Sequence, residues 1–456
     1  MKLGKRIAAA AAALIVLTGV AAVWVAQSAW LRERVRGIVV EQTERATGGR
    51  VELGAFDLDW RTLTARLSRF TVHGTEAAGQ APLLAVDRAT VRLTILSLIR
   101  RNFRIDHIEV EHPRVHLIVY PDGRTNLPQP KQASRGNGMQ TILDLKIGRF
   151  DLKQGTFTVD APGSPPKVSP WSAQGRELAA AVEYDPAKVE YSGTISVSPL
   201  RVRGFDFDIR ADAAAGRDRV TVSKATVTSA GGSVLTLNNA EMTGFSHPVY
   251  TAHYDATLAL PQIVSLLRIP ERLAGTIAAN GDARFVSLDD YRIEGSAQGA
   301  GLSFRQFRSV ALKTAFEASP GGLVLRRAQV ETLGGRVLAN AELKDYQSIS
   351  VKGRIDRFEL RQAAKLETQR PLPYNGLISG AFELSGRLDR FRPRIDALLD
   401  IAPAGQGPAA TGKVAIRYDA ARNTMELGQS WIQLPNTRLD IRGIPGQRLR
   451  VKADSR

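Results

Sequence analysis

KATVTSAGGSVLTLNNAEM, Lys224 to Met242, and RAQVETLGGRVLANAELKD, Arg327 to Asp345, are two versions of one pattern. Each holds an alternating apolar run, a Gly-Gly turn and a second alternating run. Alternation with period two, rich in Val, Leu and Thr, is the signature of a strand with one buried face. The turns Gly231-Gly232 and Gly334-Gly335 stand about 100 residues apart, and QSWIQLPNTRLDIRGI (429–444) repeats the pattern again with Asn436-Thr437 in place of the glycines. The segments between the turns also match. LPQIVSLLRIPERLAGTI leads to Gly275-x-Ile277, and LRQAAKLETQRPLPYNGLI leads to Gly376-x-Ile378. The unit is therefore a short helix, a Gly-x-Ile entry into a strand, and a meander of hairpins.

A tandem β unit is the sequence of a sheet that grows by addition. Its alternation leaves one apolar face and one polar face. The apolar face must be covered by a second sheet, by closure into a barrel, or by curling into a groove that holds something else. The candidate lining positions are apolar residues of one parity: Val324, Val330, Val337 and Val351.

The same texture begins at Val51 with VELGAFDLDW and runs through FRIDHIEVEHPRVHLIVY to the last residues. The expectation is a mainly β chain of about twenty to twenty-five strands with a few brief helices at 96–101, 261–269 and 359–366. With 456 residues and 43% hydrophobic content, the chain can support two or three ordinary domains. It has no cysteine, which excludes disulfides and thiolate chemistry and leaves an oxidising compartment open. The net charge of +17 fits nucleic acid, an anionic membrane surface or acidic partners.

The N-terminus favours the membrane. Lys2, Lys5 and Arg6 precede an uncharged run from Ile7 to Val25 that includes Leu14, Ile15, Val16, Leu17, Val20, Val23 and Trp24. That run is just long enough to span a bilayer. Residues 1–29 are read as a transmembrane signal-anchor; the rival is a cleavable signal peptide with Ala26-Gln27-Ser28 as its site. Residues 30–50 have helical apolar spacing and end at Gly48-Gly49, as a juxtamembrane helix would.

YPDGRTNLPQP, Tyr120 to Pro130, punctuates the first β region. Asp122-Gly123 is a hairpin-type turn signal. Asn126-Leu127-Pro128 ends a strand, because Pro removes a ladder donor. No glycine-rich loop leads into a helix here, so a phosphate loop is not expected. The domain reading is 51–130 as an N-terminal β module, 131–140 as a linker, and 141–456 as repetitive β units; APGSPPKVSP (161–170) reads as a long hairpin tip.

Residues 83–128 resemble the N-terminal region of the AsmA-like and TamB-like envelope proteins. The resemblance rests on Ile105, Ile108, Pro113, Val115, Asp122-Gly123 and Asn126-Leu127-Pro128, with the later helix-Gly-x-Ile and Gly-Gly repeats similar in texture. It implies an N-terminal transmembrane helix followed by an elongated, curled antiparallel sheet with an apolar groove. It also implies transport of phospholipid between the inner and outer membranes of a diderm bacterium. The partners implied are the inner membrane and phospholipid acyl chains. The alternative it carries is a scaffold for outer-membrane protein assembly with a barrel partner. TamB-like chains are longer and end in a characteristic domain, whereas this one stops at RLRVKADSR in mid-alternation; the expectation is an N-terminal fragment or a truncated gene product.

No sequence feature asks for catalysis or a cofactor. His107, His112 and His116 cluster with Asp106, Glu109 and Glu111, but Pro113 intervenes and no third ligand is fixed, so a solvated polar face is expected rather than a metal site. G-x-S-x-G, H-E-x-x-H and P-loop patterns are absent. Basic residues are spread through the strands without interleaved aromatics, so nucleic acid is not an expected partner.

Overall fold

The computed structural model describes residues 29–77, 79–97, 102–120, 124–128, 143, 146–161, 171–245, 247–267, 272–366, 371–388 and 392–455. The expected anchor Ile7–Val25, the turn residues Asp122 and Gly123, the linker 131–140 and most of the loop 161–170 lie outside them. No helix among the described residues is long and apolar enough to cross a membrane. The fold is mainly β, with few short helices. Contacts divide it into two units, residues 1–229 with 244–246, and residues 230–243 with 247–456.

The first unit opens with helix α1 (Ala29–Thr47), which stops where Gly48 takes a positive φ of 77°. Ten strands follow: β1 (Arg50–Asp59), β2 (Thr64–His73), β3 (Leu84–Ser97), β4 (Asn102–Glu111), β5 (Arg114–Ile118), β6 (Arg149–Ala161), β7 (Trp171–Asp185), β8 (Glu190–Val202), β9 (Phe205–Ala215) and β10 (Arg219–Ser229). Neighbours pair antiparallel except at one place, where β6 runs parallel to both β4 and β5. The fold is thus not wholly antiparallel. A parallel pair needs a long crossover rather than a hairpin, and the chain makes it between Ile118 and Arg149. The expected linker falls within this crossover, so the strands on its two sides belong to one sheet. Leu96 and Ser97, expected to begin a short helix, instead finish β3.

The crossover carries its own core. Leu143, Ile147 and Tyr191 are buried together, with Ile105, Ile108, Val182 and Tyr184 against them. Tyr191 Oη accepts the Ile147 N–H at 2.7 Å. Helix α1 lies along β1 and satisfies its backbone: Val51 N–H donates to Glu44 Oε1 at 3.0 Å, and Arg36 donates to Leu53 O at 2.6 Å. Unpaired edge groups invite another strand; here helix side chains take that place.

The second unit is a meander of fourteen strands, each antiparallel to the next: β11 (Val234–Thr243), β12 (Val249–Ala259), β13 (Leu273–Ser287), β14 (Asp290–Phe304), β15 (Phe307–Ser319), β16 (Gly322–Thr332), β17 (Gly335–Lys344), β18 (Ser348–Glu359), β19 (Gly376–Arg387), β20 (Arg394–Pro403), β21 (Thr411–Asp419), β22 (Thr424–Leu434), β23 (Thr437–Ile444) and β24 (Arg448–Ser455). Helix α2 (Leu260–Leu267) joins β12 to β13 and packs on both; α3 (Leu360–Ala364) does the same for β18 and β19. The Gly-Gly turns have a reason to lack side chains. A Cβ on Gly231 would meet the Gln262 side chain of α2 at 2.7 Å, and one on Gly334 would meet Gln362 and Glu359, at α3, at 3.0 Å. Gly232 and Gly334 also take positive φ values of 86° and 75°. Gly335, next along, would place a Cβ 2.5 Å from the Asp356 carbonyl oxygen of β18.

Candidate functional site: the apolar face of the second unit

Register assigns every strand of the meander to two faces. On one face Leu312, Val330, Val337 and Ile355 stand opposite one another across β15, β16, β17 and β18. Leu343 meets Ile349, and Ala341 meets Val351. Farther along, Leu384, Ile395 and Tyr418 line up, as do Gly380, Leu399 and Val414. This face is mostly apolar, yet few of its side chains are buried; Tyr254, Leu302, Ala328 and Ile401 are among the exceptions. Apart from neighbouring strands, the main packing on this unit is α2 and α3. Aromatic rings lie over strand glycines: a Cβ on Gly295 would meet Tyr254 Oη at 2.7 Å, and one on Gly353 would meet the Phe382 ring at 2.9 Å.

The opposite face carries rows of ion pairs. Arg292 and Arg326 both pair with Glu317, at 3.3 and 3.0 Å. Arg336 pairs with Asp356, Lys352 with Glu383, and Arg417 with both Asp396 and Glu426. Such exposed pairs add little stability, but they keep this face wet.

Of the four predicted lining positions, Val330, Val337 and Val351 fall on the apolar face. Val324 does not: its cross-strand neighbours are Glu317 and Glu342. The reason is a β-bulge. Arg326 and Arg327 together oppose Asn340 alone, Arg327 takes a positive φ of 51°, and its N–H donates to Asn340 Oδ1 at 2.9 Å. One extra residue reverses strand parity, so Leu323 and Leu325 share a face with Val330 while Val324 takes the other. Gln154, Asn239 and Arg357 have positive φ at similar register shifts.

Two features were missed in the sequence. The first is an open cavity of about 390 Å³ on the apolar face of β13–β16, bordered by the first residue of α2. Leu260 of α2 lines it together with Ile277, Leu302, Leu312 and Val330, and only Ser303 and Thr332 bring hydroxyls. The Leu that opens each helix, Leu260 and Leu360, was its faint signal. The second is a bridge at the hairpin end of the strands. Tyr346 Oη donates to Ser319 O at 3.0 Å, which leaves Tyr291 Oη as donor to Tyr346 at 2.9 Å. Partial burial, and then the adjoining Tyr291 hydroxyl, push the Tyr346 phenol up to about 12.

No protein-family model and no curated protein matches this chain. The site must therefore be read from its own chemistry.

The motif residues of the first unit have structural settings. Asn126 is fully buried: its Oδ1 accepts the Ile118 N–H at 2.9 Å and its Nδ2 donates to His116 O at 2.8 Å. Its own carbonyl accepts the Thr75 N–H. Leu127 is exposed, Pro128 packs near Gly49, and Pro113 is buried at the break between β4 and β5. The bridge of Val119 with Thr125 brackets the expected turn. His107 contacts Asp151 at 2.8 Å and His116 contacts Asp160 at 2.9 Å, so these two histidines reach across to β6; His112 is exposed. Among the described residues no group of His, Asp and Glu has the arrangement of a metal site. Arg149 and then His107 hold the Asp151 carboxyl below its usual range.

Proposed function

We propose that this chain is an AsmA-like or TamB-like envelope protein whose apolar sheet face carries phospholipid acyl chains between the inner and outer membranes of a diderm bacterium. The segment Ile7–Val25 anchors it in the inner membrane, and the β units stand in the periplasm. The observation that carries the reading is the fourteen-strand meander of the second unit. Its apolar face continues from strand to strand, and most of its side chains are only half-buried.

Moving an acyl chain through water costs about 0.8 kcal/mol per methylene, and more than about 10 kcal/mol for a typical chain. A continuous apolar track removes most of that barrier. The headgroup stays in water, and the ionic face keeps the carrier soluble. No bond is made or broken, so the track needs no acid, base or nucleophile. Direction comes from a lipid gradient or from partners.

Native mass spectrometry of the full chain, purified in mild detergent, tests the reading. Several phospholipids per chain, lost in Val330→Asp or Val337→Asp, are expected. A lipid-free protein would overturn it.

A further inference from the structure

We infer that the cavity beside α2 seats the methyl end of one acyl chain, so that the apolar face has a fixed site as well as a track. This rests on the lipid-carrying function proposed above. At roughly 30 Å³ per small group, the cavity of about 390 Å³ has room for about a dozen heavy atoms. Its described lining has no charged side chain and only the hydroxyls of Ser303 and Thr332. A headgroup or a peptide backbone would find almost no hydrogen-bond partners in this lining. Saturated hydrocarbon needs none. The cavity is also continuous with the rest of the face, because Val330 in its wall pairs with Val337 on the next strand.

Helix α2, whose Leu260 borders the cavity, is held in place. Ala259 N–H, just before α2, donates to Ser233 Oγ at 3.0 Å, and Gln262 lies against the side-chain-free Gly231. Helix α3 has a different neighbour: Arg361 donates to Pro373 O at 2.8 Å, tying it to the loop before β19. A site at α2 would hold one chain by its end while other lipids pass along the strands beyond β16.

Two photoreactive hexadecanoic acids test this on the full chain, one with a diazirine at its terminal carbons and one with it beside the carboxyl. The terminal probe is expected to label Leu302–Leu312 and the peptide carrying Val330, and the carboxyl-side probe to label elsewhere on the face. Val310→Trp, which fills the cavity, should cut the terminal label there by about tenfold or more and spare label on β19–β21. Leu312→Phe gives the same reading if the first variant fails to fold. No label on any strand of the face overturns both this site and the proposed function. Label on β19–β21 but none in the cavity, or equal cavity label from both probes, overturns the seating alone.

Discussion

Val324 and Val330 lie on the same strand with the same sequence parity, yet they face opposite sides of the sheet. Val324 stands between Glu317 and Glu342, and Val330 between Leu312 and Val337. The bulge at Arg326-Arg327 separates them. An Asp at Val330 therefore puts a charge on the apolar face, whereas an Asp at Val324 joins an already ionic one. Val330→Asp is expected to abolish lipid co-purification, and Val324→Asp to leave it within about twofold of wild type. Equal loss in both, measured as lipids per chain, would mean that the bulge does not set the faces.

The tyrosine bridge gives a pH signature. The Tyr346 phenol sits at about 12 when folded, above its ordinary value of 10.0. A raised phenol favours the folded state below pH 10, and that contribution is lost as pH rises through the folded value. An ultraviolet titration should show one phenol ionising near 12. In Tyr346→Phe that step should vanish and the alkaline loss of stability between 10 and 12 should shrink.

Asn126 closes β5 from within. Asn126→Ala leaves the Ile118 N–H and the His116 carbonyl without their side-chain partner, which costs about 3 kcal/mol. Hydrogen exchange should then quicken in β5 and its neighbours in the first unit, and leave β13–β18 unchanged. Uniform quickening would argue against a local plug.

Side chains of α1 seal the edge of β1. Glu44→Ala removes the acceptor of the Val51 N–H. The Val51 amide should exchange at least about tenfold faster, with little change in global stability. An unchanged rate would show that Glu44 does not protect the edge.

Asp151 ties Arg149 and His107 across the parallel β4–β6 pair. Its lowered carboxyl contributes stability that is present above the ordinary value of 3.8 and lost as pH falls through the folded value. Asp151→Asn should weaken the first unit at neutral pH and flatten its acid denaturation below pH 4, read by circular dichroism. A curve as steep as wild type would place the acid-sensitive group elsewhere.

Much of this fold was legible in the residues. Alternation marked the strands because each residue's face depends only on its immediate neighbours along the chain. The helix, Gly-x-Ile and Gly-Gly repeat exposed the unit that β11–β23 lay down, and α2 and α3 form where apolar helical spacing interrupts the alternation. Even the bulge left a trace: LVLRRAQV sets two arginines where alternation calls for one polar residue. What the sequence alone could not decide was the consequence. Whether Arg326 and Arg327 oppose one residue or two depends on the register of β17, a strand on the far side of a turn, and that register moved Val324 off the apolar face. The parallel joining of β6 to β4 and β5 and the cavity between Leu260 and Val330 likewise bring together residues far apart in the chain. Periodicity is a local property and determined the two faces; pairing is a non-local one, and only the tertiary structure decided which residues share them.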